Sequence, residues 1–167
     1  MYTMQIYGDF AGYSLMAIGV GKLMGFDLIN NFKRPYFASS ITEFWKRWHI
    51  SLTRWLTTHV YIGLGGNRCS KLRQYWNIII TFLVSGIWHG ANWSFILWGV
   101  MHGLLQCIEK SLGLDPKGKY ANTVLLGRLK LLRILITFVL VNFAWIVFRL
   151  PSVSAAGEGL RKIFTRE

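Results

Sequence analysis

Apolar residues form three long runs along the chain, and the segments between these runs carry most of the charge. The first run covers residues 1–26, which is long enough to cross a hydrocarbon core of ~30 Å as a helix. The second covers 75–107 and the third 131–149. No linker or repeat divides the sequence. The pattern therefore predicts one all-α membrane domain over 1–167 that crosses the bilayer several times.

The middle run is too long for one comfortable span and only just long enough for two short ones. Gly86, Gly90 and Asn92 bring low helix propensity and turn chemistry to its centre. We therefore expect a helix, a break near 86–92 and a second helix from about Trp93, as in broken or re-entrant membrane helices. In the first run, the glycine pairs Gly8/Gly12 and Gly21/Gly25 have the spacing that lets membrane helices approach closely.

A shorter helix is predicted over 41–58. The stretch from Ser40 to Glu43 has the form of a capping box that would open it. On a helical wheel, one broad face carries apolar side chains, namely Ile41, Phe44, Trp45, Trp48, Leu52, Trp55 and Leu56. The basic residues of this segment lie away from that face, so we expect an amphipathic helix in the membrane interface.

Charge and composition change the picture in one respect. The 167 residues include 19 Lys and Arg against 7 Asp and Glu, a net charge of +12, with 53% hydrophobic residues and a mean hydropathy of +0.35. Such a basic balance is also typical of nucleic-acid binding, but here the charges lie between the apolar runs. We therefore interpret them as topological and expect the lipid bilayer, not a nucleic acid, as the partner, with 27–74 and 109–133 in the cytoplasm.

One polar cluster lies inside the middle run. Ser85, His89 and Asn92 share one helical face if the helix persists that far, and Trp88 precedes the histidine. A neutral imidazole takes a proton from a hydroxyl near neutral pH, so His89 is a candidate general base. The alternative is a buried histidine that is hydrogen-bonded to a neighbouring helix. Ionisable residues at membrane depth favour function, which leaves both interpretations open.

Two weaker candidates lie elsewhere. His49 follows Trp45 by one turn and can point inward, although an interfacial belt of aromatic and basic residues has the same pattern. Asp9 and Tyr13 lie one turn apart in the first run and can hydrogen-bond each other or orient a histidine on another helix. The pattern slightly favours a structural pair for these two.

Several chemistries lack their signature. The glycines near residue 65 are not followed by the Gly-Lys-Ser/Thr of a phosphate loop, and His-Glu-x-x-His is absent from the sequence. Cys69 and Cys107 lack the spacing of a metal site, so we expect no metal. The remaining alternative to an enzyme is a channel or transporter element whose polar stripe lines a pathway. For His59 and His102 the sequence favours structural hydrogen bonds.

Four stretches, in this order, resemble the membrane-bound O-acyltransferase family: IYGDFAGYSLMAIG from Ile6, FWKRWHISL from Phe44, YIGLGGNR from Tyr61 and SGIWHGANW from Ser85. The likeness covers nearly the whole chain. It is nearest to the bacterial branch that contains the membrane subunit for alginate O-acetylation and the protein for D-alanyl transfer to teichoic acid. Members of the family are considerably longer, so the resemblance implies that this chain is a fragment holding the catalytic core.

The resemblance implies transfer of an acyl group, most simply acetyl, from a thioester donor to hydroxyls of a polysaccharide outside the cytoplasm, such as alginate. D-alanyl transfer to teichoic acid is the alternative within the family. His89 then corresponds to the family's catalytic histidine and His49 to its second histidine, with Ser85, Asn92, Asp9, Tyr13 and Trp88 as candidates for positioning the substrates.

The same resemblance implies no bound cofactor. The donor would be a substrate, either acetyl-CoA or an acyl-carrier thioester that arrives from the cytoplasm. The implied location is the bacterial inner membrane, with several spans. Periplasmic O-acetylation proteins would be further partners.

Overall fold

The computed structural model describes residues 2–116, 118 and 128–150. Within these residues the secondary structure is helical and includes no strand, which confirms the predicted all-α class for this part of the chain. Short turns of 3-10 and π-helix cover Pro35–Phe37 and Thr57–Tyr61. The α-helices are α1 (Tyr2–Leu23), α2 (Ile41–Trp45), α3 (Ile50–Leu56), α4 (Lys71–His89), α5 (Trp93–Ser111) and α6 (Lys130–Arg149). Most of the loop after Pro116 lies outside the described residues.

Helices α4 and α5 form a tight antiparallel hairpin. α4 ends at His89 because Gly90 adopts φ 147°, which side-chain-bearing residues rarely reach. α5 begins at once, since the Asn92 side chain accepts a hydrogen bond from the backbone N–H of Ser94 (3.1 Å). The chain therefore turns at 90–92, and α4 and α5 are separate helices.

Glycines allow the two helices of the hairpin to touch. A Cβ on Gly99 would overlap the backbone carbonyl of Phe82, and a Cβ on Gly86 would overlap that of Phe95. Close backbone approach through small residues is how helices associate where lipid removes the hydrophobic driving force between them. The contact pairs also set the antiparallel register.

Helix α6 closes the bundle and defines its two ends. The Ser94 hydroxyl donates to the carbonyl of Leu150 (2.8 Å), and the Arg133 guanidinium donates to the carbonyl of Leu114 (2.8 Å). α6 is therefore antiparallel to α5 and parallel to α4. We call the end with His89 and Arg149 the histidine end, and the end with Lys71, Lys110 and Lys130 the basic end. Among the described helices, α6 has the length and mean hydropathy (2.3) of a membrane span.

The predicted continuous interfacial helix over 41–58 is wrong. α2 stops at Trp45, His49 takes left-handed backbone angles (φ 44°), and α3 starts at Ile50. The reason is burial of the aromatic side chains: Trp48 is 3% exposed and packs against the rings of Phe32, Phe44, Tyr36 and Trp145. The part of the apolar face around Trp45 and Trp48 is thus enclosed between helices, where packing outweighs helical continuity, while Trp55 stays exposed.

Local hydrogen bonds fix the start of α2. Ser40 accepts from the backbone N–H of Glu43 (3.0 Å), as the capping box predicts, while the Glu43 carboxylate accepts from the backbone N–H of Ser39 (2.7 Å) and pairs with Arg47. Burial raises the pKa of Glu43, but the bonds from Ser39 and the Arg47 charge together hold it below its ordinary value. Glu109 of α5 accepts from the backbone N–H of Thr42 (3.0 Å), which anchors α2 to the hairpin.

Helix α1 is attached mainly near its start. The Thr3 hydroxyl donates to the Asn142 amide oxygen of α6, and the Tyr36 hydroxyl donates to the Thr3 carbonyl (2.8 Å). A Cβ added to Gly8 or Gly12 would meet no atom within 4 Å in the described part of the chain. Their predicted close packing against a neighbour is therefore not formed among these residues.

Gly99→Ala is expected to destabilise the hairpin by about 1–3 kcal/mol, because the added methyl group overlaps rigid backbone. Gly12→Ala is the matched control, since its Cβ meets open space and alanine is the better helix former. The midpoint of thermal unfolding in detergent should fall for the first variant and hold or rise for the second. Equal midpoints would show that α4 and α5 are less closely packed than described.

Candidate functional site

A cavity of about 420 Å³ lies at the histidine end. Helix α1, the connection between α2 and α3, the end of α4 and the end of α6 each contribute to its wall. Its lining residues are Tyr2, Gln5, Ile6, Asp9, Phe10, Tyr13, Trp48, His49, His89, Trp145 and Phe148. The fold thus brings His49 and His89 into one cavity, together with Asp9 and Tyr13.

His89 is held by aromatic rings. As the last residue of α4 it packs edge-on against Trp98 (5.2 Å between ring centroids), Phe148 (5.1 Å) and Trp88 (4.9 Å). These contacts come from α4, α5 and α6, so the position of the imidazole depends on all three helices. A ring that is clamped in this way is pre-positioned for proton transfer to a molecule in the cavity.

His49 enters the same cavity from the short connection between α2 and α3, outside the long helices. Its ring lies edge-on to Phe10 (4.7 Å), and its Nδ1 is 3.5 Å from the Ser51 hydroxyl oxygen. That hydroxyl donates to Asn31 (2.7 Å), so its oxygen is available to accept from an Nδ1–H. This arrangement favours the tautomer with Nε2 as the acceptor nitrogen.

Burial lowers the pKa of His49 to about 4, with a smaller contribution from repulsion by His89. At neutral pH the imidazole is therefore uncharged, and it accepts or donates single hydrogen bonds without bringing a positive charge to the cavity. Both histidines line the same cavity. Trp88 lies between them, 6.0 Å from the His49 ring.

The other residues that the sequence predicts to position substrates lie in different parts of the structure. Asp9 and Tyr13 are exposed on the cavity wall, which fits contact with a bound molecule better than a buried structural pair. Trp88 is 58% exposed but touches both histidine rings. Asn92 does not share a face with His89, because the helix ends at that histidine and the Asn92 side chain caps α5. Ser85 is buried and lies on a second cavity.

The second cavity, of about 360 Å³, opens toward the basic end. The residues that line it include five with aliphatic hydroxyl groups and two lysines, namely Thr42, Thr53, Thr57, Thr81, Ser85, Lys46 and Lys110. It begins one helical turn from the first cavity, since Ser85 lines one and His89 the other. A layer of tryptophans, with Trp45 and Trp98 at its centre (5.6 Å), lies at this level.

A buried histidine supports that layer. His102 is fully buried, and its Nδ1 accepts a hydrogen bond from the Trp45 indole N–H (3.3 Å). The structural role that the sequence favours for His102 fits this contact. His59 lies at the surface, where its Nδ1 is 3.0 Å from the Trp55 carbonyl oxygen and its ring stacks on that tryptophan.

Sequence reasoning missed the contribution of α6. Trp145 and Phe148 line the first cavity, yet in the sequence they belong to an apolar run that reads only as a membrane span. Gln5 and Tyr2 were equally without a signal. Among the described residues, no group of three His, Cys, Asp or Glu side chains is placed to hold a metal ion.

Comparison with known proteins identifies a family. The model of the MBOAT family, the membrane-bound O-acyltransferases, matches residues 1–114. A probable alginate O-acetylase of Pseudomonas syringae pv. tomato is 46% identical over 98% of this chain, which covers 30% of that relative.

Two other relatives are named for different activities. The peptidoglycan O-acetyltransferase of Helicobacter pylori is 43% identical over 96% of this chain and 29% of its own length. The teichoic acid D-alanyltransferase of Streptococcus thermophilus is 33% identical over 89% of this chain and 39% of its own length. The chain thus spans about a third of the length of the curated relatives it matches.

The left-handed backbone at His49 generates a prediction about stability. Valine tolerates positive φ poorly, whereas asparagine adopts it readily, so His49→Val should be less stable than His49→Asn by about 1–2 kcal/mol. Both substitutions remove the same ring contacts, which makes each the control for the other. Unfolding midpoints in detergent measure the difference. Identical midpoints would mean that residue 49 does not hold this conformation.

Proposed function

This chain belongs to the membrane-bound O-acyltransferase family, and from that membership we propose that its protein transfers an acyl group from a thioester to a hydroxyl group of a polysaccharide. One observation supports the proposal above all others. His89 and His49 line a single cavity together with polar and aromatic side chains of α1. That is the arrangement required to bind a hydroxyl-bearing molecule beside a base.

In the proposed reaction, the His89 imidazole accepts the proton of the acceptor hydroxyl as its oxygen attacks the thioester carbonyl. The C–S bond breaks, the thiolate leaves, and the imidazolium returns the proton to sulfur. His49, neutral at pH 7, positions the acceptor or donor by hydrogen bonding. Ser85 as a covalent acyl carrier is a weaker version, because the described residues that line its cavity include no histidine to take the serine's proton.

The two cavities suggest a division of substrates. We assign the cavity at the histidine end to the sugar acceptor, because aromatic faces pack against the C–H groups of a pyranose ring while Gln5 and Asp9 offer hydrogen bonds to its hydroxyls. We assign the cavity at the basic end to the donor thioester, either acetyl-CoA or an acyl-carrier protein. Lys46 and Lys110 on its wall suit the phosphate groups of such donors.

Among acyl groups, acetyl is the best supported. The relatives named for O-acetyl transfer share 43–47% identity with this chain, against 33% for those named for D-alanyl transfer. We accordingly propose an extracytoplasmic polysaccharide such as alginate as the acceptor, with D-alanyl transfer to teichoic acid as the second candidate. Periplasmic O-acetylation proteins are proposed as further partners.

His89→Ala is expected to lower polysaccharide acetylation by about 10²–10⁴-fold, because a general base contributes that much to the rate. The measurement is ester content of the polymer from cells that express equal amounts of membrane-inserted protein. His59→Ala is the matched control, since His59 is an exposed histidine outside both cavities and its removal should leave acetylation unchanged.

Acetylation at the wild-type level in the His89→Ala variant would remove His89 from the mechanism. A different outcome would favour the channel-like alternative: the wild-type protein transfers no acetyl group but carries a solute flux, and His89→Ala abolishes that flux.

The proposed location is the bacterial inner membrane, with several spans and the basic end in the cytoplasm. The test places single cysteines at Lys71, Ala91 and Leu112, all exposed positions, after replacement of Cys69 and Cys107. An impermeant thiol reagent should label position 91 in intact cells and positions 71 and 112 only after permeabilisation. The reverse labelling pattern would invert the topology and the assignment of the two cavities.

A further inference from the structure

Arg149 lies at the opposite end from the other basic residues of the long helix bundle. On α4, α5 and α6 the cationic side chains at the basic end are Lys71, Arg73, Lys110, Lys130 and Arg133. Arg149, in the last turn of α6, is the exception on these three helices. Positive residues normally concentrate on one side of a membrane protein, so an arginine on the other side needs a separate reason.

The arginine lies beside the histidine cavity, against one of the residues that line it. Its guanidinium carbon lies 4.9 Å from the centroid of the Tyr2 ring, and Tyr2 lines that cavity. A guanidinium that stacks on a ring keeps its N–H groups in the plane free for a bidentate partner. The side chain is exposed, so a molecule that enters the cavity can reach it.

The charges of the cavity point to one kind of molecule. Asp9 on the wall accepts hydrogen bonds from hydroxyls but repels anions, whereas a guanidinium such as that of Arg149, beside the wall residue Tyr2, attracts a carboxylate and can pair with it through two parallel hydrogen bonds. A sugar acid carries both groups on one ring. It would therefore bind with its hydroxyl side toward Asp9 and the histidines and with its carboxylate toward Arg149.

We propose that Arg149 determines acceptor specificity by binding the carboxylate of an acidic sugar residue in the polysaccharide. This inference rests on the proposed acyl transfer and names the class of its acceptor. A favourable interaction between Arg149 and the dipole at the C-terminus of α6 also exists, but it is indifferent to the acceptor. The two roles are therefore separable by experiment.

The experiment uses the full-length protein in membranes and two acceptors, a polyuronate oligosaccharide and the same oligosaccharide after chemical reduction of its carboxyl groups. Arg149→Gln should raise the acceptor KM roughly tenfold for the acidic oligosaccharide with kcat nearly unchanged, and should leave both constants for the neutral one unaltered. Arg149→Lys should recover part of the loss, because it keeps the charge without the planar fork.

Lys130→Gln is the matched control, because it removes one charge from the same helix at the basic end. It should change neither KM nor kcat for either acceptor. Equal losses with both acceptors in Arg149→Gln, or no loss with either, would overturn the inference. Direct binding of the acidic oligosaccharide to purified protein gives a second readout. Weaker binding of this oligosaccharide to Arg149→Gln than to the wild type would support the role of Arg149. If the wild type at the same time transferred no acetyl group, the proposed activity would be refuted.

Discussion

The structure depends on the burial of Trp45, the last residue of α2, and of Trp48, which lies in the connection to α3. Trp45 packs against Phe82 and Trp98 of the α4–α5 hairpin and donates its indole N–H to His102. Trp48 packs against Trp145 of α6 and Phe32 of the loop after α1. Two large rings directed at different helices cannot be satisfied by one straight amphipathic helix, so the backbone turns at His49.

That turn is what places the second histidine. Because residue 49 takes left-handed angles, its side chain leaves the helical course of α2 and meets the wall formed by Phe10 and Trp88. The cost of such a conformation is on the order of 1–3 kcal/mol. Strain of this kind persists when surrounding contacts over-determine it, and here the buried rings of Trp45 and Trp48 do so.

The same aromatic layer explains why two cavities of different chemistry lie so close together. Ser85 and His89 are one turn apart on α4, yet the first lines a hydroxyl-rich cavity and the second an aromatic one. Glycines 86, 99 and 103 keep α4 and α5 in backbone contact along this stretch. Rigid helices on one side and stacked indoles on the other hold His89 where both cavities approach each other, which suits a reaction that joins two substrates.

The sequence by itself determined the helical class, the apolar runs and a break within 86–92, and it made His49 and His89 candidates. The first three follow from local chemistry, namely hydropathy over a membrane's thickness and glycine's access to positive φ, whereas the roles of the histidines are what the family resemblance of their motifs implies. The same reasoning failed at 41–58, where periodicity indicated one interfacial helix, and at Asn92, which caps α5 instead of continuing α4.

Only the tertiary structure decided which residues share a cavity. Trp145 and Phe148 are indistinguishable in the sequence from the end of an ordinary membrane span, and they line the cavity because α6 runs parallel to α4 and ends beside His89. The division of Ser85 from His89 likewise depends on where Trp45 and Trp98 pack. Contacts between residues distant in the chain are set by the fit of whole helices, and no local pattern records that fit.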